Sequence, residues 1–170
     1  RAENVGNPDI DLMMRHHDAY VTELRQAGLE VSVLDALEEF PDSLFVEDTA
    51  LCLPEGAVVL RPGAPSRVGE SMAMAPHLKD LYSDVRHLAG PGFIEGGDIL
   101  TTESEILVGK SDRTNTAGIE ELQRAVADWG YTVREVRTPP GVLHFKSDCS
   151  LLDGSTILST PRLSTTGCFE

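Results

Sequence analysis

Positive charge is scarce in this chain: 14 lysines and arginines stand against 28 aspartates and glutamates, a formal net charge of −14. A field of that sign repels a phosphate backbone, which argues against nucleic acid as a partner. Long apolar runs are also missing, and none approaches the roughly 20 residues that a membrane span needs. The start of the chain lacks the charged-then-apolar pattern of a signal peptide. A soluble protein with no membrane partner is therefore expected. Three cysteines, Cys52, Cys149 and Cys168, make neither a close pair nor a CxxC. That argues against a disulfide framework or a zinc knuckle, and a reducing cytoplasm is the expected compartment. Aromatic residues make up only 5% of the chain, few for stacking against sugars.

What is present suffices for one domain: 170 residues, 41% of them apolar. The first residue is Arg1 rather than Met, and the final residues carry no clear closing element, so a piece of a longer protein is expected.

Residues 8–27 place Met13, His17, Tyr20, Val21 and Leu24 at three- and four-residue spacing, and Gly28 follows as a stop. The spacing predicts an amphipathic helix. Residues 29–35 alternate as a strand does, and residues 40–52, FPDSLFVEDTALC, read as strand despite their acids. A hairpin turned at Pro54, Glu55 and Gly56 comes next, then a helical segment to Asp84, irregular at Pro76, and a short strand, VRHLAG. The same grammar recurs as the hairpin IEGGDILTTESEILVGK, a helix over residues 116–129 closed by Gly130, and the strand YTVREVR. A third hairpin opens at HFKSDCSLLDGSTILST.

Aligned on their second hairpin strands, Ala57, Glu105 and Ser155 are spaced by about fifty residues. A strand-strand-helix-strand unit cannot bury both sheet faces alone, so the copies must pack side by side. The short strands favour a ring of blades over a linear stack. One partial domain over residues 1–170 is expected, an incomplete ring with units near 9–61, 62–109 and 110–160.

Equivalent units can converge polar residues on a common axis. The candidates are Asp42, Glu47 and Asp48 in the first unit, Glu95 and Asp98 in the second, and His144 in the third. Gly96 and Gly97 remove side chains where a backbone or ligand comes close, or else mark a bulge. For Asp98 and Asp148 a turn-capping role outweighs catalysis. His144 taken alone reads as a hydrogen-bonded core histidine, and Arg67 and Arg113 as surface ion pairs. Neither His16, His17, His77 nor His87 receives a function. Two acids suit a glycosidase, although the aromatic poverty weighs against it. Asp, Glu and His144 also suit a metal, but no HExxH or tight ligand pair supports one. A third class is a site for a guanidinium, whose planar donors carboxylates match.

Together and in this order, FPDSLFVED, RPGAPSRVGE, EGGDIL, GKSDRTN and LHFKSDCS resemble dimethylarginine dimethylaminohydrolase of the guanidino-group-modifying, or amidinotransferase, superfamily. The resemblance runs from about Asp11 onward and implies an α/β propeller (pentein) fold of strand-strand-helix-strand units. It implies that Asp48 and Glu95 hold the guanidinium of an arginine derivative and that Asp42 helps bind its amino-acid end. Phe45 would line the pocket with Glu47 beside it, and Arg67 and Arg113 would take the α-carboxylate. His144 would protonate the leaving alkylamine and activate water, with Glu95 as its catalytic companion. The implied nucleophile is a cysteine beyond the point matching Glu170, and no cysteine here matches it. Cys52 and Cys149 are expected in the core. No metal and no organic cofactor is implied; the expected partner is a small arginine derivative, with a homodimer as the candidate assembly. Arginine deiminase, amidinotransferase and a non-catalytic binding module remain the alternatives.

Overall fold

A computed structural model describes residues 7–103, 105–154 and 156–169. The chain divides into two compact units, Arg1–Ala36 and Leu37–Glu170. In the first, α1 (Ile10–Gln26) begins where the Asp9 side chain accepts the Leu12 N–H at 2.9 Å. It ends ahead of Gly28, whose φ of +88° only glycine adopts without strain. Of the expected apolar face Val21 is buried, whereas Met13 and Tyr20 are exposed. The strand expected over residues 29–35 does not form. Alternation makes a strand only where a ladder partner exists, and the segment has none among the described residues.

In the second unit β1 (Ala50–Leu53) and β2 (Gly56–Val59) form an antiparallel hairpin, α2 (Val68–Leu81) carries the chain back, and β3 (Val85–His87) joins β2 in parallel. The pattern repeats with β4 (Ile99–Thr101), β5 (Ile106–Lys110), α3 (Thr116–Val126) and β6 (Val133–Arg137). A third hairpin, β7 (Cys149–Asp153) with β8 (Thr156–Ser159), leads into α4 (Pro161–Ser164). The hairpin's second strand is central in both three-stranded sheets. Pro76 is accommodated inside α2, which stops at Leu81 rather than running on to Asp84.

Central strands bury both faces, and that is what packs one repeat onto the next. Val58 of β2 shares a core with Ile94, Ile106, Val108 and Leu122 of the following repeat, while Ala57 and Val59 meet Ala75 and Leu78 of α2. On β5, Leu107 points the other way, toward Phe145 and Leu163 of the third repeat. Each of these Val, Leu, Ile or Phe side chains removed from water stabilises by about 1.5–3 kcal/mol, and each alanine by less. At the edge, Arg86 of β3 stacks over the Trp129 ring at 4.0 Å and pairs with Asp84 and Asp128, tying the first sheet to the end of the second repeat's helix.

The stretch of acids departs from the expected strand. Hydrogen bonds from Ser43 N to the Phe40 carbonyl and from Phe45 N to the Asp42 carbonyl close successive turns, and a 3-10 turn, Val46–Thr49, precedes the strand at Ala50. Pro41, Asp42 and Ser43 are turn-forming residues, and their local hydrogen bonding outweighs the apolar pattern. Equivalent turns, Gly96–Asp98 and Phe145–Ser147, stand before the second and third hairpins.

Candidate active site

These three turns bring together residues far apart in the chain. Asp48 closes the first turn region and is 6% exposed; Glu95 enters the second and is fully buried; His144 enters the third with a half-buried ring. The His144 Nε2 lies 2.8 Å from Glu95 Oε2 and 3.9 Å from Asp48 Oδ1. The glycines between them permit the approach. A Cβ on Gly97 would meet His144 Cγ at 2.7 Å and Asp48 Oδ1 at 2.8 Å, and one on Gly96 would run into the Glu47 carbonyl.

Each carboxylate is fixed by donors on its far side. Glu95 Oε1 accepts the backbone N–H groups of Gly63 and Ala64 at 3.1 and 3.2 Å and faces Arg113 Nη1 at 3.3 Å. Asp48 accepts the Gly97 N–H at 2.8 Å on one oxygen and Arg67 Nη1 at 2.5 Å on the other. Burial opposes the charged form of Glu95, but the bond to His144, the Ala64 N–H and the Arg113 charge outweigh it and hold the carboxyl below its usual range. Burial likewise opposes imidazolium at His144, yet the Glu95 bond and the charges of Asp48, Asp98 and Glu95 raise it above its ordinary value. Both shifts favour carboxylate at Glu95 and imidazolium at His144, the form in which the ring can give up a proton inside a shielded site. The donor atoms of Asp48, Glu95 and His144 lie within 4.8 Å of one another, close enough to share one cation.

The other expected residues fall into two groups. Phe45 and Asp42 are exposed in the turns before Asp48, and Glu47 is held at the surface by Lys146 Nζ at 2.8 Å. Arg113 is half-buried beside Glu95. Arg67 differs from the surface ion pair its sequence suggests: it is 3% exposed, and its guanidinium donates to Glu70, to Asp48 and to the Asp42 and Phe45 carbonyls. Burial disfavours its charge, and the bonds to Glu70 and Asp48 more than restore it. Sequence reading missed Glu70, three residues after Arg67 at the start of α2, where i,i+3 spacing could have found it.

The cysteines separate by environment. Cys52 is exposed, not in the core as expected; it is the one outward-facing residue of β1 between buried Leu51 and Leu53. Cys149 is buried, its thiol donates to the Phe145 carbonyl at 3.4 Å, and burial pushes it up to about 12. Cys168 is half-buried.

Repeated strand-strand-helix-strand units whose tight turns converge carboxylates and a histidine define an α/β propeller protein of the pentein type. Residues 7–144 match the family described as N,N dimethylarginine dimethylhydrolase, eukaryotic, and the chain belongs to that family. It is 32% identical over 159 residues to N(G),N(G)-dimethylarginine dimethylaminohydrolase of Pseudomonas aeruginosa, covering 93% of this chain and 62% of the relative. To the protein of the same name from Streptomyces coelicolor it is 36% identical over 151 residues, covering 88% and 58%. The Pseudomonas aeruginosa structure, a cysteine-to-serine mutant complexed with citrulline, superposes with a TM-score of 0.88 at 30% identity over 96% of this chain and 66% of that one. An amidinotransferase from Microseira wollei, at 18% identity and a TM-score of 0.78, shares the fold. The chain thus spans about three fifths of the length of the curated relatives it matches.

Proposed function

We propose that these residues form the guanidinium-binding and proton-transfer part of an enzyme that hydrolyses N-omega-methylated arginine to citrulline and an alkylamine. The observation that carries the reading is the convergence of Asp48, Glu95 and His144 on one buried point. Two fixed carboxylates match a planar cation that cannot lose its proton. In the open turn ahead of Asp48, the Phe45 ring offers a cation–π face worth on the order of 1 kcal/mol.

A thiolate would form a bond to the guanidinium carbon, and the carbon–nitrogen bond to the alkylamine would break as His144 gives that nitrogen its proton. Water, its proton taken back by His144, would then displace the thiol and leave citrulline. Glu95 keeps His144 charged for the first step and oriented for the second. Cys149 is unsuited to the thiolate's attack, being buried with its thiol pushed up to about 12. Asp42 meets the substrate's ammonium with Glu47 at the rim, and Arg113, half-buried, takes its carboxylate. Arg67 reaches that carboxylate only by giving up Asp48, and where it stands it braces Asp48 instead. No metal or organic cofactor enters the chemistry. One partial domain over residues 1–170, a homodimeric assembly and a cytoplasmic setting belong to the same reading; among the described residues no helix is long and apolar enough to cross a membrane.

Titration calorimetry of the chain with N-omega-methylated arginine, arginine and citrulline tests this. Saturable binding of the methylated form, weakened at least tenfold by Glu95→Gln, is expected. Preference for unmethylated arginine would favour a deiminase or amidinotransferase, and no binding of any of the three would sink the reading.

A further inference from the structure

We infer that Asp98 is a positioning residue, holding the turns that bear Glu95, Arg113 and His144 at the spacing their contacts need. The inference rests on the roles proposed above for Glu95 and His144. Asp98 is fully buried, and its side-chain bonds go to Phe145, Ser111 and Thr114 rather than to Glu95 or His144. One of its carboxylate oxygens accepts the N–H of Phe145, the residue after His144, at 2.8 Å. The other accepts the Ser111 hydroxyl at 2.6 Å, and that hydroxyl oxygen accepts the Arg113 N–H at 2.9 Å. Its own N–H donates to the Glu95 carbonyl at 3.0 Å. Three segments, each carrying one site residue, therefore meet on a single residue, two of them on its side chain and the Glu95 segment on its backbone.

The repeat explains how it came to be there. Asp48, Asp98 and Asp148 recur every fifty residues, each at the end of the turn before a hairpin. Asp48 accepts the Gly97 N–H from the next repeat's turn, as Asp98 accepts that of Phe145 from the repeat after it. The tie between repeats is thus a scaffold device, and at Asp98 both tied turns carry site residues. A carboxylate accepting N–H and O–H donors makes stronger, more directional bonds than a neutral group would. The register of His144 against Glu95 consequently depends on it. The charged groups around the imidazole are Glu95, Asp48 and Asp98, with Arg67 and Arg113 behind the first two.

The test is the protonation midpoint of His144, followed by NMR of the histidine-labelled, unliganded chain, so that it stands apart from substrate and turnover. In the wild-type background Glu95→Gln is expected to lower the midpoint by about one unit, tenfold in proton affinity. With Asp98→Ala, the same change should have a small fraction of that effect, because the two side chains no longer meet. Asp98→Asn keeps an acceptor for Phe145 and a partner for Ser111 while removing the charge, and it should restore the response to Glu95→Gln. A mere fold brace would lower the unfolding temperature and leave the response equal in all three backgrounds; that result would overturn the inference. Should Asp98→Ala fail to fold, Ser111→Ala cuts one tie only, with a partial loss of response expected and an undiminished one counting against the role. No response in any background would overturn the Glu95–His144 pairing itself, and the inference with it.

Discussion

The first and third repeats each end a tight turn on a buried aspartate and hold it with an arginine that follows the hairpin, Asp48 with Arg67 and Asp148 with Arg162. The local chemistry is the same: a proline one or two residues ahead of the arginine, and a charge-assisted bond of 2.5 Å to the aspartate. The surroundings are not. Arg67 is 4% exposed at its side chain and also faces Glu70, whereas Arg162 is 55% exposed. Asp48 meets Gly97 and His144 of later repeats, while Asp148 takes both bonds from Arg162. A turn that serves as scaffold in one repeat joins a buried cluster of ionisable groups in another when neighbouring repeats close over it.

Breaking each arginine should expose the contrast most strongly. Arg67→Ala leaves Asp48 and Glu70 buried without their cation, a loss on the order of 3 kcal/mol in urea unfolding. Arg162→Ala, whose charge is mostly solvated, strands one buried carboxylate rather than two and should cost less. Equal losses would mean that burial does not distinguish the two turns.

Glycines sharpen the same comparison. Gly97→Ala drives a Cβ into His144 and Asp48, and ligand affinity should fall at least tenfold in calorimetry. Gly154→Ala, in the third hairpin, meets only the end of the Glu103 side chain, which can swing aside, and should leave affinity within twofold.

Acid and base should act on the site with opposite signs. The folded His144 binds its proton more tightly than an ordinary histidine, so its contribution to stability is full below about pH 6.5 and is lost as pH rises through its raised value. Glu95 titrates below its usual range, so its contribution is present above about pH 4.3 and is lost as pH falls through the lowered value. Unfolding midpoints measured from pH 3 to 9 should drop on both sides, and Glu95→Gln should flatten both arms. Wild-type arms that survive Glu95→Gln would locate the dependence elsewhere.

The smallest effect separates the cysteines. Exposed Cys52 should alkylate first, and Cys149, its thiol pushed up to about 12 by burial, last, as peptide mass mapping over time would show.

Much of the fold was legible in the sequence because it is local. The hairpins at Pro54–Gly56 and at residues 99–110, the helix closed by Gly130 and the fifty-residue period all follow from turn chemistry and apolar spacing. Where the chain was misread, the two reasons differ: residues 29–35 alternate but find no neighbouring strand among the described residues, and the local turn chemistry of Pro41, Asp42 and Ser43 overrides a stretch that its apolar residues suggested was extended. The site was half legible. Motifs named Asp48, Glu95 and His144, but the inward turn of Arg67, its partner Glu70 and the ties made by Asp98 had no signal beyond their spacing.

The sequence by itself determined the repeat and its turns, since backbone preference and binary pattern act over a few residues. Only the tertiary structure decided which of three equivalent aspartates faces a histidine, which arginine is buried and which thiol is closed off. Those properties depend on burial and on contacts between residues some fifty positions apart, and short-range spacing carries no record of them.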